Sequence, residues 1–132
     1  MKESDVEKNR GAKTWYIADG WMPLKKSSEN ANLEGHEAIM ILNHQDIDAE
    51  ILIDIFFDDK EPIEKIKLTV PARRIKCFRM DKPDQFGGFK LERLTQYALR
   101  IKSSIEVIVQ YGRMDVTQPN LAYIGMMAFP GV

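Results

Sequence analysis

Ala49-Glu50-Ile51-Leu52-Ile53-Asp54-Ile55-Phe56-Phe57 carries the clearest period-two pattern in the chain, with every odd position apolar and Glu50 and Asp54 turned the other way. Successive side chains of a strand point to opposite faces, so this segment reads as a strand with one buried face. Upstream, His36-Glu37-Ala38-Ile39-Met40-Ile41-Leu42-Asn43 is apolar on both faces, as a central or interface strand would be. His44-Gln45-Asp46 supplies a hairpin-type turn between the two. Downstream, Asp58-Asp59-Lys60-Glu61-Pro62 makes the next turn, and Ile66, Leu68 and Val70 form the next inward face. Pro71 removes a backbone donor and holds Val70 extended, so the chain must turn or change sheets there. Beyond it Ile75 and Cys77 alternate with Arg74 and Lys76 and are expected to face inward, with Cys77 a small buried hydrophobe.

Further out the same signals recur. Thr14-Trp15-Tyr16-Ile17-Ala18 is rich in strand formers and ends in the turn signal Asp19-Gly20. Tyr97 to Ile101 and Ile105 to Tyr111 alternate, with Ser103-Ser104 as their expected link, and Leu121 to Phe129 closes the pattern before Pro130-Gly131 stops it. Two polar stretches, 22–35 and 81–90, are too long for tight connections, and the second has room for a turn of helix near Leu91 to Leu94. Roughly seven or eight short strands without an amphipathic helix argue for an all-β, single-domain antiparallel β-sandwich of jelly-roll-like kind. Strands apolar on both faces need a second cover, which points to a homo-oligomer.

The 132 residues suit one core, and 19 basic against 20 acidic residues give no whole-protein field for non-specific nucleic-acid or membrane binding. Residues 1–12 are charged and lack an apolar period, so a disordered tail is expected there, with the folded domain over 13–132. A single cysteine excludes an intrachain disulfide and a multi-cysteine metal site. Charges at the start of the chain replace the apolar core of a signal peptide, and no run is long enough to span a bilayer, so a cytoplasmic location is expected.

Few residues invite chemistry. Arg73 and Arg74 at a sheet rim offer planar forks to a carboxylate or phosphate, or simply solvate an edge. His36 and Glu37 are strand neighbours and point apart, so a shared metal pocket is not expected, and no cofactor is implied. Gln110, Arg113 and Asp115 form a polar cluster that either clasps a ligand or pairs internally. Trp15 and Trp21 flank a turn and supply flat stacking surfaces, or pack as core and cover. An enzyme would need Glu37 with Asp19, Asp58 or Asp115 about 5 to 10 Å apart across a cleft. A nucleic-acid binder would use Arg73, Arg74, Lys76 and Arg79 as a basic stripe.

Taken in order, Trp15-x-x-Ala18-x-Gly20-x-x-Pro23, His36-Glu37, Ile41-Leu42-Asn43, Asp58-x-Lys60-Glu61-Pro62, Leu68-Thr69-Val70-Pro71-Ala72-Arg73-Arg74 and Val109-Gln110-x-x-Arg113-x-Asp115 resemble the bacterial sensory rhodopsin transducer family. The resemblance implies a small β-sandwich that assembles as a tetramer and passes a signal, in some lineages from a membrane photoreceptor. It also implies a small polar, sugar-like or anionic metabolite as ligand and a signalling protein as partner. Carried over by position, the ligand-facing residues are Trp15, His36, Glu37, Asn43, Arg73, Arg74, Gln110 and Arg113.

Overall fold

The computed structural model describes residues 10–25, 33–116 and 122–131. Eight strands follow in order: β1 (Ala12–Trp21), β2 (His36–Asn43), β3 (Ala49–Phe56), β4 (Ile63–Val70), β5 (Arg74–Arg79), β6 (Gln96–Asp115), β7 (Ala122–Met127) and β8 (Phe129–Gly131). All pairings are antiparallel. One layer runs β4-β3-β6-β1-β8, and the other places β2 and β7 on β6 with β5 on the outer edge of β2. The expected all-β antiparallel architecture is therefore present. Residues 1–9 of the expected tail, and residues 26–32 of the first long loop, lie outside the described residues.

The layers share β6, which corrects the expectation of two strands linked at Ser103-Ser104. Its Tyr97, Leu99 and Ile101 face the core in one layer, and Val107, Val109 and Tyr111 face it in the other. Inward positions stay odd throughout, so the strand rounds a corner without changing which face is buried. At the bend Ser103 Oγ accepts the Ile105 N–H at 3.4 Å and Ser104 Oγ accepts the Glu50 N–H at 2.9 Å. Serine looks like a break in sequence, yet here its hydroxyls satisfy a bent backbone. β1 follows the corner through a register shift, pairing Ala12 with Val107 but Thr14 with Lys102.

The core joins Ile51, Ile53 and Ile55 of β3 to Ile39 and Ile41 of β2. Burial of each such side chain contributes about 1.5–3 kcal/mol. As Pro71 foretold, β4 and β5 lie in different layers. The segment at His44 to Asp46 likewise joins layers rather than making a hairpin, since β2 and β3 do not pair.

Ile75 and Cys77 do not face inward. Ile75 is 65% exposed and Cys77 is also exposed, because β5 pairs Ile75 with Leu42 and Cys77 with Met40 on the outer face of its layer. Phe78 takes the buried phase instead. Near Leu91 to Leu94 there is an irregular turn, and no helix occurs among the described residues. Pro130 does not stop the pattern either, for it pairs with Trp15 in β8. Sitting on a three-residue edge strand, it loses no central ladder bond.

Candidate functional site

β2 and β6 run antiparallel with Glu37 opposite Arg113, which brings both side chains to the inner face. Glu37 is fully buried, with 0% exposure. One carboxylate oxygen accepts the Tyr97 hydroxyl at 2.6 Å and the other accepts Arg113 Nε at 2.7 Å. Arg113 Nη2 also donates to the Tyr111 hydroxyl at 3.3 Å, and the guanidinium lies 6.0 Å from the Trp21 ring centroid. Arg113 is 27% and Trp21 39% exposed, so the buried carboxylate reaches the surface through one guanidinium. Nη1 of Arg113 has no partner among the described residues.

Burial pushes the Glu37 carboxyl up, and its bonds to Tyr97 and Arg113 only partly offset this. The Tyr97 phenol is also pushed up, by burial and then by the neighbouring Glu37 charge, so it stays a donor. Gly20 makes room for this arrangement. A Cβ there would stand 2.3 Å from the Tyr97 ring.

A second charged cluster clamps the bases of the two long loops. Asp81 accepts both Arg79, at 2.7 Å, and Arg93. Arg93 Nη1 reaches the Gly35 carbonyl at 2.5 Å and the Pro23 carbonyl at 3.2 Å, and Arg79 pairs Glu34 at 3.3 Å. Burial raises Asp81, but the two guanidiniums outweigh it and hold its carboxyl below the usual range. His36 lies against this cluster, with Nδ1–H donating to the Glu34 carbonyl at 2.8 Å. Burial, followed by its cationic neighbours, lowers its pKa and favours the neutral ring.

The remaining sequence candidates lie elsewhere. Trp15 is core: its indole N–H is shared by the Ala12 and Val107 carbonyls at 2.9 and 3.0 Å. Asn43 is buried and its amide holds the Ile47 and Val70 carbonyls at 2.8 and 3.1 Å, shaping the crossing between layers. Arg74 sits opposite Asn43, at the end of β2 remote from Glu37. Its guanidinium donates to the Arg73 carbonyl at 3.0 Å, while Arg73 pairs with exposed Asp46 at 2.8 Å. Gln110 lies on the outer face, between Met40 and Met127. Thus Glu37 and Arg113 come together at one end, with His36 turned instead to the Asp81 cluster, while Arg73 and Arg74 mark the other.

Tyr97, Tyr111 and Trp21 complete the first group. Of these, Trp21 was legible as a stacking surface, whereas Tyr97 and Tyr111 read only as strand core. Arg79 is turned to Asp81 and Glu34, which removes it from a surface stripe with Arg73 and Arg74. Both oxygens of Glu37 are engaged internally, so it does not face a second carboxylate across an open cleft.

Among solved structures, a Thermotoga maritima protein (1070) aligns with a TM-score of 0.79 at 24% identity, covering 92% of this chain and 96% of that one. The Anabaena sensory rhodopsin transducer aligns with a TM-score of 0.65 at 35% identity, covering 80% and 91%. No curated protein sequence matches. The family model described as Anabaena sensory rhodopsin transducer matches residues 10–130, and with that span and the 35% identical relative this chain belongs to the sensory rhodopsin transducer family.

Proposed function

We propose that this chain is a non-enzymatic, cytoplasmic signalling module that binds a sugar-like or anionic metabolite at Arg113 and Trp21. One observation carries the reading: Arg113 joins a fully buried carboxylate to the solvent beside an exposed indole. Buried ion pairs are weak sources of stability, so this pair calls for another use. A ligand carboxylate fits Nη1, and a sugar ring fits the indole face. Such a ligand draws on the charge that otherwise balances Glu37, and leaves Glu37 more readily protonated.

The consequence travels through two strands. β2 and β6 present Glu37 and Arg113 on one face and, on the other, Met40, Leu42, Ile108 and Gln110. Tyr123 and Met127 of β7 extend that outer surface, which suits it to a homo-oligomer, a tetramer by analogy with the family. A signalling protein would then read the assembly. The family name points to a photoreceptor in one relative.

The test is thermal stability of the full chain with glucuronate, glucose or a short DNA duplex. Glucuronate should stabilise by roughly 2.7 kcal/mol at a hundredfold excess over its Kd, and Arg113→Lys or Trp21→Leu should abolish this. Stabilisation only by the duplex, fading as salt rises, would replace the metabolite with nucleic acid.

A further inference from the structure

A depression opens on the outer face of the β3-β6-β1 layer, remote in role from Arg113. Ala18, Ala98, Tyr97, Phe56, Phe57, Asp58 and Gln96 line it, around a volume of about 190 Å³. Small side chains on adjacent strands leave the space, and the register places Ala98 directly opposite Phe56.

The depression offers two acceptors, the Asp58 carboxylate and the Gln96 carbonyl. Asp58 has no hydrogen bond or ion pair with the other described residues. Gln96 donates one of its two amide N–H bonds to Asp19 at 3.0 Å, and its carbonyl oxygen is available as an acceptor. Both phenylalanine rings already attract positive charge from the chain itself. Lys60 Nζ sits 4.4 Å from the Phe57 ring centroid, and the Arg100 guanidinium 5.3 Å from that of Phe56. Ring faces and carboxylates both favour cations; of the two resident ones, Arg100 is already paired with Asp54 at 2.9 Å, while Lys60 is exposed.

We infer that this depression binds the ammonium group of a small organic cation, with Asp58 as counter-charge, Phe56 and Phe57 as ring walls, and Lys60 as a built-in competitor. The Lys60 ammonium rests on an exposed flexible stem, so a ligand can displace it. The site stands apart from the Arg113 reading and takes the opposite charge.

The experiment follows the methyl resonances of Ala18 and Ala98 while the full chain is titrated with tetramethylammonium chloride, against sodium chloride at equal ionic strength. Saturable shifts are expected with the ammonium salt alone. Asp58→Asn should weaken binding by roughly tenfold, the scale of a partly desolvated cation contact. Lys60→Met should tighten it. Both positions are exposed, so neither variant should disturb folding. Equal responses to the two salts, an unchanged affinity in Asp58→Asn, or saturation by glucose instead would each overturn the assignment.

Discussion

Glu37 gathers most of its importance from what it would leave behind. Its replacement by Leu strands the Arg113 charge and the Tyr97 hydroxyl, and should cost about 3–5 kcal/mol in urea unfolding. The triple variant Glu37→Leu, Arg113→Met, Tyr97→Phe removes the stranded partners too and should recover most of that loss. Additive losses across the triple variant would show that packing, not the charge network, sets the cost. The pH dependence has a definite sign. Glu37 is raised in the folded state, so its favourable contribution is full below its ordinary value of 4.5 and is lost as pH rises through the folded value. Wild type should therefore lose stability relative to Glu37→Gln as pH rises above 4.5, in paired urea midpoints. An unchanged gap would mean that Arg113 keeps Glu37 ionised throughout. Asp81 and Asp54 act oppositely, since both are held low and lose their contribution as pH falls. The His36-Glu37 pair and Arg113 were visible in sequence as polar residues inside apolar runs. Their partners Tyr97 and Tyr111 were not, because an aromatic in a strand pattern reads as core and its hydroxyl carries no local signal.

Strands were read well where one face is buried and poorly where the chain bends or lies at an edge. β3 and β4 show the first case, with Ile51 opposite Leu68 and Ile53 opposite Ile66. The same pair hides an irregularity between Ile53 and Ile55, where Lys65 adopts φ 62° and its N–H donates to Asp54 at 3.0 Å. No glycine marked that bulge. A left-handed lysine costs about 1–2 kcal/mol, whereas glycine loses about 0.5–1 kcal/mol more chain entropy on folding. Lys65→Gly should therefore raise stability by roughly 0.5–1 kcal/mol, read from the urea midpoint. A loss would mean that the lysine side chain holds the bulge. β5 shows the second case: its alternation was plain, but alternation alone does not say which phase faces in. Phe78 decided that phase against Ile75 and Cys77.

At the scale of the molecule, the surface that stands out is the outer face around Leu42, Ile75, Tyr123 and Met127. Tyr123, 60% exposed, lies across Gly112, where a Cβ would stand 2.4 Å from its hydroxyl. If this face assembles the protein, Leu42→Glu should reduce the sedimentation mass to that of the 15.2 kDa monomer while leaving the far-ultraviolet β spectrum intact. A monomeric wild type, or an unaltered mass in Leu42→Glu, would remove this face from assembly. An apolar two-faced β2 was legible from its sequence. What covers its second face was not, because burial within a sheet and burial between subunits leave the same residues.

The two-layer strand β6 also constrains how the protein can be made. Among the described residues β1 pairs with β6 and β8 alone, so on the ribosome Trp15 and Ile17 emerge well before β6 and wait uncovered while β2 through β5 are synthesised. β3 can zip with β4 and β2 with β5 in the meantime, but neither pair closes the core. Chain synthesis from β1 to β6 is thus a window of exposed apolar surface, during which a chaperone or a neighbouring nascent copy finds its easiest grip.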